Sequence, residues 1–245
     1  CTSGLCPNRS ECWMARTATL MIGGDICTRK CRFCNTLSGR PRLLNPDEPR
    51  RVAESVKALK LRYAVITSVD RDDLPDYGAA HWIKTIEEIR RLNPDTKIEL
   101  LIPDFMGKAD LIRQVMATHP HVAGHNMETV RRLTPTVRSV ARYERSLEVL
   151  REIANCGITA KTGFMLGLGE THEEILETMD DILSTGCQRL TLGQYLQPTA
   201  EHLPVKAYIT PEMFAEYKRI ALEKGFKYVV SGPLVRSSYH AAEGV

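Results

Sequence analysis

Short apolar runs alternate with longer amphipathic stretches along most of this chain. The runs that have the length and composition of buried strands are residues 17–23, 63–67, 97–102, 121–124, 159–168 and 189–196. Between them, apolar residues recur every three or four positions, as at Trp82, Ile86 and Ile89, which is the spacing of a helix with one buried face. Thr171 and Glu174 form the polar pair of a capping box at a helix N-terminus. The pattern predicts alternating strands and helices.

The order of these elements predicts an α/β fold. About six strand–helix units follow one another, and the strands are too apolar to leave one face in water, so we expect a parallel sheet covered by helices. This arrangement resembles a partial (β/α)6 barrel of the TIM type. In such barrels, ligands bind the loops at the carboxyl ends of the strands, and the polar motifs of this chain follow predicted strands. We therefore expect them to converge on one mouth.

Composition narrows the class of protein. The 245 residues, 43% of them hydrophobic, suffice for one sizeable core. A net charge of +3 gives no argument for nucleic acid or a membrane as a partner, and we predict neither. No apolar run approaches the roughly 20 residues that span a bilayer, and no signal-peptide pattern occurs. We expect a soluble, cytoplasmic bacterial protein. Because the chain starts at Cys1 and not at Met, we expect a preceding piece to be missing, which leaves an organellar form open.

Cysteine placement points to metal ligation. Six of the eight cysteines fall within the first 34 residues, in two sets of three. A secreted disulfide scaffold is usually short and spreads its cysteines through the fold, whereas this long chain concentrates them at one end. We therefore expect metal sites in a reducing compartment.

The second set, Cys27, Cys31 and Cys34, has a C-x3-C-x2-C spacing directly after a predicted strand. Three thiolates can hold three irons of a [4Fe–4S] cluster and leave the fourth iron open to a small molecule. A structural zinc site is the alternative, but zinc usually takes four protein ligands and this loop offers no fourth Cys or His. With the aromatic Phe33 before the last Cys, the loop resembles the signature of the radical S-adenosylmethionine (SAM) superfamily.

The first set, Cys1, Cys6 and Cys12, has a C-x4-C-x5-C spacing that is a weak signal alone. Two such triplets in one chain resemble the lipoyl synthase family, and the resemblance extends along nearly the whole sequence. The stretches that carry it are residues 17–19, 67–75, 125–129, 161–171, 192–198 and the closing Arg236-Ser237-Ser238-Tyr239. Biotin synthase, a related sulfur-inserting enzyme, lacks the N-terminal triplet and the closing motif.

The resemblance implies a radical SAM enzyme with two [4Fe–4S] clusters. Cys27, Cys31 and Cys34 would hold the catalytic cluster that cleaves SAM to a radical. That radical would remove hydrogen from carbons 6 and 8 of an octanoyl-lysine on a lipoyl carrier domain, which no acid or base of a side chain can do. An auxiliary cluster would be sacrificed to supply two sulfur atoms.

The resemblance also assigns the auxiliary cluster. Its ligands would be Cys1, Cys6 and Cys12 together with Ser238, the family's serine ligand, Ser237 being the less favoured choice. A serine oxygen is a harder ligand than a thiolate and suits a bond that must break. Without the family, the two serines would read as an ordinary polar tail. We predict an auxiliary-cluster extension at residues 1–16, a barrel at 17–230 and a closing segment at 231–245.

Polar residues at strand ends are the candidates for SAM contacts. The candidates are Asp70, Asp72, Asn126, Glu128, Lys161 and Gln194. The Asp70–Asp73 stretch also reads as a solvated acidic loop, so both interpretations stay open there. Lys161 lies in an otherwise apolar strand, where a lysine is rare without a partner.

Two other functions remain open at the level of sequence. One is a radical SAM enzyme of another reaction type that uses its second cluster as an electron relay, and the other is an iron–sulfur or zinc protein without catalysis. For the favoured function we expect three partners: the octanoylated carrier, an electron donor such as flavodoxin or ferredoxin, and an iron–sulfur carrier that rebuilds the consumed cluster.

Overall fold

The computed structural model describes residues 6–243, and a sheet of parallel strands forms its centre. The strands in chain order are β1 (Thr17–Ile22), β2 (Ile26–Cys27), β3 (Leu37–Ser38), β4 (Tyr63–Ser68), β5 (Lys97–Leu101), β6 (Val122–Gly124), β7 (Thr159–Leu166), β8 (Arg189–Gln194) and β9 (Tyr228–Gly232). Seven of them form one sheet in the order β1-β4-β5-β6-β7-β8-β9, with every neighbouring pair parallel. The short strands β2 and β3 pair separately.

Helices connect most of these strands. In chain order they are α1 (Arg9–Met14), α2 (Glu48–Ala58), α3 (Ala79–Leu92), α4 (Ala109–Met116), α5 (Thr134–Val137), α6 (Tyr143–Asn155), α7 (His172–Leu183) and α8 (Pro211–Lys224), with a 3-10 turn at Phe105–Gly107. A strand that is followed by a helix and then by a parallel neighbour is the repeating unit of a TIM-type barrel. The predicted α/β partial barrel is confirmed.

Alternation along the strands decides which side chains meet the helices. On β4, Ala64 and Ile66 belong to the main apolar core, together with Trp82, Ile86 and Ile89 of α3. The predicted inward face of α3 is therefore correct. Tyr63 and Val65 point to the other face of the sheet, because successive strand residues alternate.

The capping box predicted from Thr171 and Glu174 is present at the start of α7. The Thr171 side chain accepts from the Glu174 backbone N–H, and the Glu174 side chain accepts from the Thr171 N–H. The sequence pattern missed α1 and β9. Both are short, and β9 runs through the predicted boundary between residues 230 and 231.

The sheet ends at β1 and β9, which do not pair with each other among residues 6–243. Both ends of the described chain, residues 6–243, lie in this region: α1 packs near β1, and the Asn8 side chain donates to the Leu234 carbonyl at 2.7 Å. Ala241 packs against Tyr63 and Val65. The two terminal segments therefore meet at the open side of the barrel. In the described part of the chain, no helix has the length and apolarity needed to cross a bilayer.

Candidate active site

A cavity of about 490 Å³ opens at the carboxyl ends of the strands. Its lining comes from nearly every strand end, including Met21, Thr67, Asp70, Leu101, Asp104, Asn126, Glu128, Met165, Gln194 and Arg236. The mouth expected from the sequence is therefore where the parallel strands place it.

All three thiols of the cluster loop line this cavity. Cys27 ends β2, and its Sγ accepts the backbone N–H groups of Arg29 at 3.4 Å and Asp70 at 3.3 Å. Burial, with the nearby Asp70 carboxylate, raises the pKa of the Cys27 thiol to about 11. The thiol therefore stays protonated at neutral pH until a metal displaces the proton. Backbone N–H donors aimed at a sulfur suit a thiolate ligand, so the loop fits an iron–sulfur cluster.

Arg29, inside the cysteine loop, fastens the loop to the barrel. Its Nε lies 2.7 Å from Asp72 Oδ2, its Nη2 lies 2.6 Å from Asp104 Oδ1, and its Nη1 lies 3.3 Å from Asp70 Oδ1. Arg145 adds a contact of 3.1 Å to the other oxygen of Asp104. The side chains of Arg29 and Asp104 are 2% and 0% exposed. Two cations and three carboxylates thus form one mostly buried cluster, the Arg29 cluster.

Asp104 is fully enclosed within the Arg29 cluster. Burial alone would raise its pKa, but the hydrogen bond and charge of Arg29 hold the pKa of Asp104 well below its ordinary value. The carboxylate is therefore ionised whenever the protein is folded. The sequence analysis missed Arg29 and Asp104. The sequence did contain a signal for this cluster. It was an arginine between two cluster cysteines, together with acidic residues after the predicted strands 63–67 and 97–102.

The predicted SAM contacts Asp70 and Asp72 both belong to the Arg29 cluster. Asp70 lines the cavity, but Asp72 is absent from its lining and accepts hydrogen bonds from Arg29 and from the Thr28 hydroxyl at 3.2 Å. The structure gives Asp72 an anchoring contact. Its role in binding SAM stays a prediction.

Asn126 and Glu128, predicted after the fourth strand, lie in the cavity lining beyond β6. Glu128 adopts a left-handed backbone conformation with φ of 65°, which is uncommon for a residue other than glycine. Desolvation raises the pKa of the Glu128 carboxyl, against the opposing charge of Arg138. Strained backbone and a desolvated acid in one cavity are features of functional positions.

Arg138 is a buried cation of the cavity that the sequence analysis missed. Its Nη1 donates to Ser146 Oγ at 2.8 Å and to the Asn126 and Met127 carbonyls at 3.2 and 3.3 Å. Its Nε is buried and has no hydrogen-bond partner within residues 6–243. Because the Arg138 side chain lines the cavity, its guanidinium suits an anionic group of a ligand there.

Lys161 and Gln194 have protein partners. Lys161 Nζ lies 2.7 Å from Glu99 Oε1, and Tyr63 donates to the other oxygen of Glu99 at 2.7 Å. This buried group lies on the inner face of the sheet, and Lys161 is absent from the cavity lining. Gln194 lines the cavity but donates to the Ala207 carbonyl and accepts from the Ile209 N–H. As cofactor contacts, both residues stay predictions.

A second, smaller pocket lies at the open side of the barrel. Cys6, Cys12, Arg236 and Ser238 are among the residues that line it, and the Thr19 hydroxyl donates to Ser238 Oγ at 2.8 Å. Cys1 lies outside the described residues. Ser237 lines the main cavity instead, and Arg236 lines both spaces, so the two adjoin at this arginine.

Among residues 6–243, no group of three or more Cys, His, Asp or Glu side chains is arranged to hold a single metal ion. Three thiols around one cavity are the donor set that a [4Fe–4S] cluster with one open iron uses, so Cys27, Cys31 and Cys34 fit that cofactor.

Sequence similarity to known proteins identifies the family. A family model described as the Radical SAM superfamily matches residues 21–182. The lipoyl synthase of Bacteroides fragilis (strain YCH46) is 63% identical over 245 residues, which is 100% of this chain and 85% of that protein. The chain belongs to the lipoyl synthase family. Another lipoyl synthase, from Treponema denticola, is 56% identical over 245 residues, covering 100% of this chain and 84% of that protein.

Solved structures show the same fold at low sequence identity. The crystal structure of Streptococcus suis SuiB bound to S-adenosylmethionine covers 86% of this chain and 49% of that chain, with a TM-score of 0.68 and 14% identity. The structure of HydG, a maturase of the [FeFe]-hydrogenase, covers 92% of this chain and 61% of that chain, with a TM-score of 0.65 and 12% identity. Membership of the lipoyl synthase family implies a [4Fe–4S] cluster, SAM and an octanoylated carrier as substrate.

Proposed function

We propose that this chain inserts two sulfur atoms, at carbons 6 and 8, into an octanoyl-lysine on a lipoyl carrier domain. The observation that carries the proposal is the pairing of two cysteine sites that adjoin at Arg236, one around the main cavity and one in the small pocket beside it. The reaction needs one site that breaks C–H bonds and another that delivers sulfur to the same alkyl chain. Two sites that share a dividing residue meet that requirement.

In the main cavity, Cys27, Cys31 and Cys34 would hold the cluster, and SAM would bind in the same cavity. When bound, the cluster and SAM together supply one-electron chemistry that breaks an unactivated C–H bond. The chain's own part is to orient SAM. The Arg138 guanidinium would donate to the SAM carboxylate, and the Glu128 carboxylate would accept from the SAM ribose or amino group.

The apolar side chains of the cavity suit an alkyl substrate. Met21, Leu101, Phe164, Met165 and Val235 contribute to its lining. An octanoyl chain among them would exclude water from the carbon atoms that react. The residues of the cavity would thereby protect a reactive carbon from side reactions.

At the small pocket, Cys1, Cys6, Cys12 and Ser238 would hold the auxiliary cluster, which supplies sulfur when bound. Cys6, Cys12 and Ser238 share this pocket, which supports Ser238 over Ser237. The Thr19 hydroxyl donates to Ser238 Oγ and would stabilise negative charge on that oxygen.

We also infer the setting of the reaction. The seven described cysteines are all free thiols, which suits a reducing compartment, and the relatives reported above are bacterial, so we assign the chain to the bacterial cytoplasm. A flavodoxin or ferredoxin would supply electrons, and an iron–sulfur carrier would rebuild the auxiliary cluster. Both partners are inferred from the reaction, which consumes electrons and an iron–sulfur cluster.

The decisive experiment weighs the product. Anaerobically reconstituted protein, with about eight irons and eight sulfides per chain, is incubated with SAM, a reductant and an octanoyl-lysine peptide. We expect a gain of two sulfur atoms on the peptide. SAM cleavage without any sulfur gain, and with the second cluster intact after turnover, would instead favour the electron-relay function.

A further inference from the structure

The chain that leaves the cluster loop forms one side of the cavity mouth. Cys34, Asn35 and Thr36 line the cavity, and the next two residues, β3, pair with β2. Beyond β3 the backbone stays attached to the barrel, because Arg71 Nη2 donates to the Arg42 carbonyl at 3.1 Å. We call residues 30–43 the basic rim.

The basic rim carries an unbalanced positive charge. Between Asp25 and Asp47 the sequence has five basic residues and no acidic one: Arg29, Lys30, Arg32, Arg40 and Arg42. Arg29 is neutralised inside its buried cluster. The side chains of the other four belong to exposed residues, and within residues 6–243 none of the four forms an ion pair with a carboxylate.

Several exposed arginines elsewhere are paired. Arg113 on α4 contacts Asp110 and Glu152, and Arg219 on α8 contacts Glu216 and Glu223. Charges on those helices are balanced locally, whereas the four exposed cations of the basic rim have no carboxylate partner within residues 6–243. An uncompensated patch of one sign attracts a surface of the opposite sign and speeds its association.

Exposed apolar side chains accompany these cations. Leu37 is 66% exposed and Leu43 is 94% exposed, both within the basic rim. In the segment before α8, Tyr208 is 75% exposed. The segment before Tyr208 contacts the cluster loop directly, since the Leu203 N–H donates to the Arg32 carbonyl at 3.1 Å. Apolar anchors within a charged border are the usual make-up of a protein-binding surface.

We propose that the basic rim is the docking surface for the carrier domain, which it binds through an acidic face of that domain around the modified lysine. The inference rests on the proposed function, because it takes the octanoylated carrier as the occupant. A folded carrier must sit at the mouth for its lysine arm to enter the cavity, and residues 33–36 of the basic rim line that cavity, with cations before and after them in the sequence. Arg40 and Arg42 contact the carrier's carboxylates, and Leu37 and Leu43 contact its apolar atoms.

The test compares a folded carrier with a short peptide as substrates. In the variant R40E/R42E, neither altered residue lines the cavity. For the octanoylated carrier domain at low salt we expect the KM to rise about tenfold or more with little change in kcat. For an octanoyl-lysine peptide, which has no folded face to dock, both constants should match those of the wild type. Added salt should raise the wild-type KM for the carrier towards that of the variant.

A matched control separates position from net charge. Lys57 on α2 and Lys218 on α8 are exposed, and K57E/K218E changes the net charge by the same amount at a distance from the mouth. This control should leave the KM and kcat for both substrates unchanged.

Equal KM values for the carrier in R40E/R42E and the wild type would overturn the proposal, as would an equal loss of activity with the peptide. Anionic vesicles that lose binding to R40E/R42E, with the carrier KM unchanged, would also overturn it. Failure of the wild type to add sulfur to either substrate would count against the proposed function instead.

Discussion

The two cysteine sites of this chain are built in opposite ways. The first comes from one short loop, and a buried arginine inside that loop binds carboxylates that follow β4 and β5. The second brings together opposite ends of the chain: Thr19 and Ser238 are 219 positions apart. Its connections include the exposed contact between Tyr239 and Glu11 at 3.2 Å. One site is anchored by buried charge and the other by hydrogen bonds that are exposed or only partly buried.

This difference matches the fates proposed for the two clusters. A cofactor that survives each turnover benefits from a rigid, desolvated frame, because every reaction then starts from the same geometry. A cluster that is consumed must be replaced, so its frame has to open without unfolding the barrel. Surface hydrogen bonds open far more easily than buried ion clusters.

The strongest test of this contrast removes the anchor of the first site. Arg29→Met leaves Asp104 buried without its main partner and Asp70 and Asp72 close together. We expect a loss of about 3–5 kcal/mol in the free energy of unfolding, because removing one member of a buried ion cluster leaves the others uncompensated. Urea denaturation measures the loss, and iron analysis should show depletion at the first site.

Arg113→Met is the matched control for that change. Arg113 also contacts two carboxylates, Asp110 and Glu152, but its side chain is 50% exposed. Its loss should cost much less than the loss of Arg29, because an exposed ion pair contributes little to stability. Similar losses for Arg29→Met and Arg113→Met would show that burial does not distinguish the first site. Adding Asp104→Asn to Arg29→Met should recover part of the stability.

The next test addresses the second site. Ser238→Ala removes the proposed oxygen ligand, and we expect sulfur insertion to fall at least about a hundredfold, which corresponds to about 3 kcal/mol. SAM cleavage should continue, because the first site is untouched. Product mass spectrometry and SAM turnover give the two readouts. Ser237→Ala is the control and should keep the auxiliary iron, whereas normal sulfur transfer by Ser238→Ala would contradict the assignment.

The sequence predicts the first cysteine site better than the second. The first site was predictable, because Cys27, Cys31 and Cys34 are close along the chain and their spacing reports the geometry directly. The alternation that predicts the barrel is equally local. The position of Ser238 beside Cys6 and Cys12 depends on how the two ends of the chain meet, which the sequence pattern does not encode. Only the family resemblance suggested it.

Partners of buried charges were also hidden from the sequence. Lys161 was expected to have a partner, but Glu99 is 62 positions away and becomes its neighbour only when β5, β6 and β7 align. Arg138 reaches the cavity from the turn after α5, a helix too short to produce a periodic signal. Such residues become visible only after strand order and register are known.

The pH dependence of stability tests His125, a buried histidine close to Asp104 of the Arg29 cluster. His125 Nδ1 lies 2.9 Å from the Ile102 carbonyl and its Nε2 lies 3.0 Å from Ser146 Oγ, so the neutral ring is fully bonded. Burial, with the charge of Arg138, lowers the pKa of His125 to about 4, while the neighbouring carboxylate of Asp104 acts in the opposite direction. Because this value lies below the ordinary 6.5, protonation favours the unfolded chain.

The stability contributed by neutral His125 is therefore complete above pH 6.5 and is lost as the pH falls towards 4. Between pH 6.5 and pH 5 the loss should be about 2 kcal/mol. Urea denaturation of the iron-free chain across this range measures it. His125→Asn, which can still donate to the Ile102 carbonyl, should remove most of this pH dependence. The control His119→Asn changes an exposed histidine and should keep the wild-type slope, and an unchanged slope in His125→Asn would contradict the prediction.

The smallest effect is expected at the surface contact of the second site. Tyr239→Phe removes the hydroxyl that contacts both oxygens of Glu11 on α1. One exposed hydrogen bond contributes about 1 kcal/mol or less, so the global free energy of unfolding should hardly change. Local opening of α1 should become up to about fivefold more frequent, and hydrogen exchange of its amides should accelerate by that factor. Tyr208→Phe, at a tyrosine that is 75% exposed, should leave this exchange unchanged.

Because iron can leave only when its frame opens, Tyr239→Phe should also speed loss of auxiliary iron to a chelator and leave the first site's iron unaffected. Equal rates of iron loss from both sites would mean that the two frames open together, and the contrast between them would then be wrong.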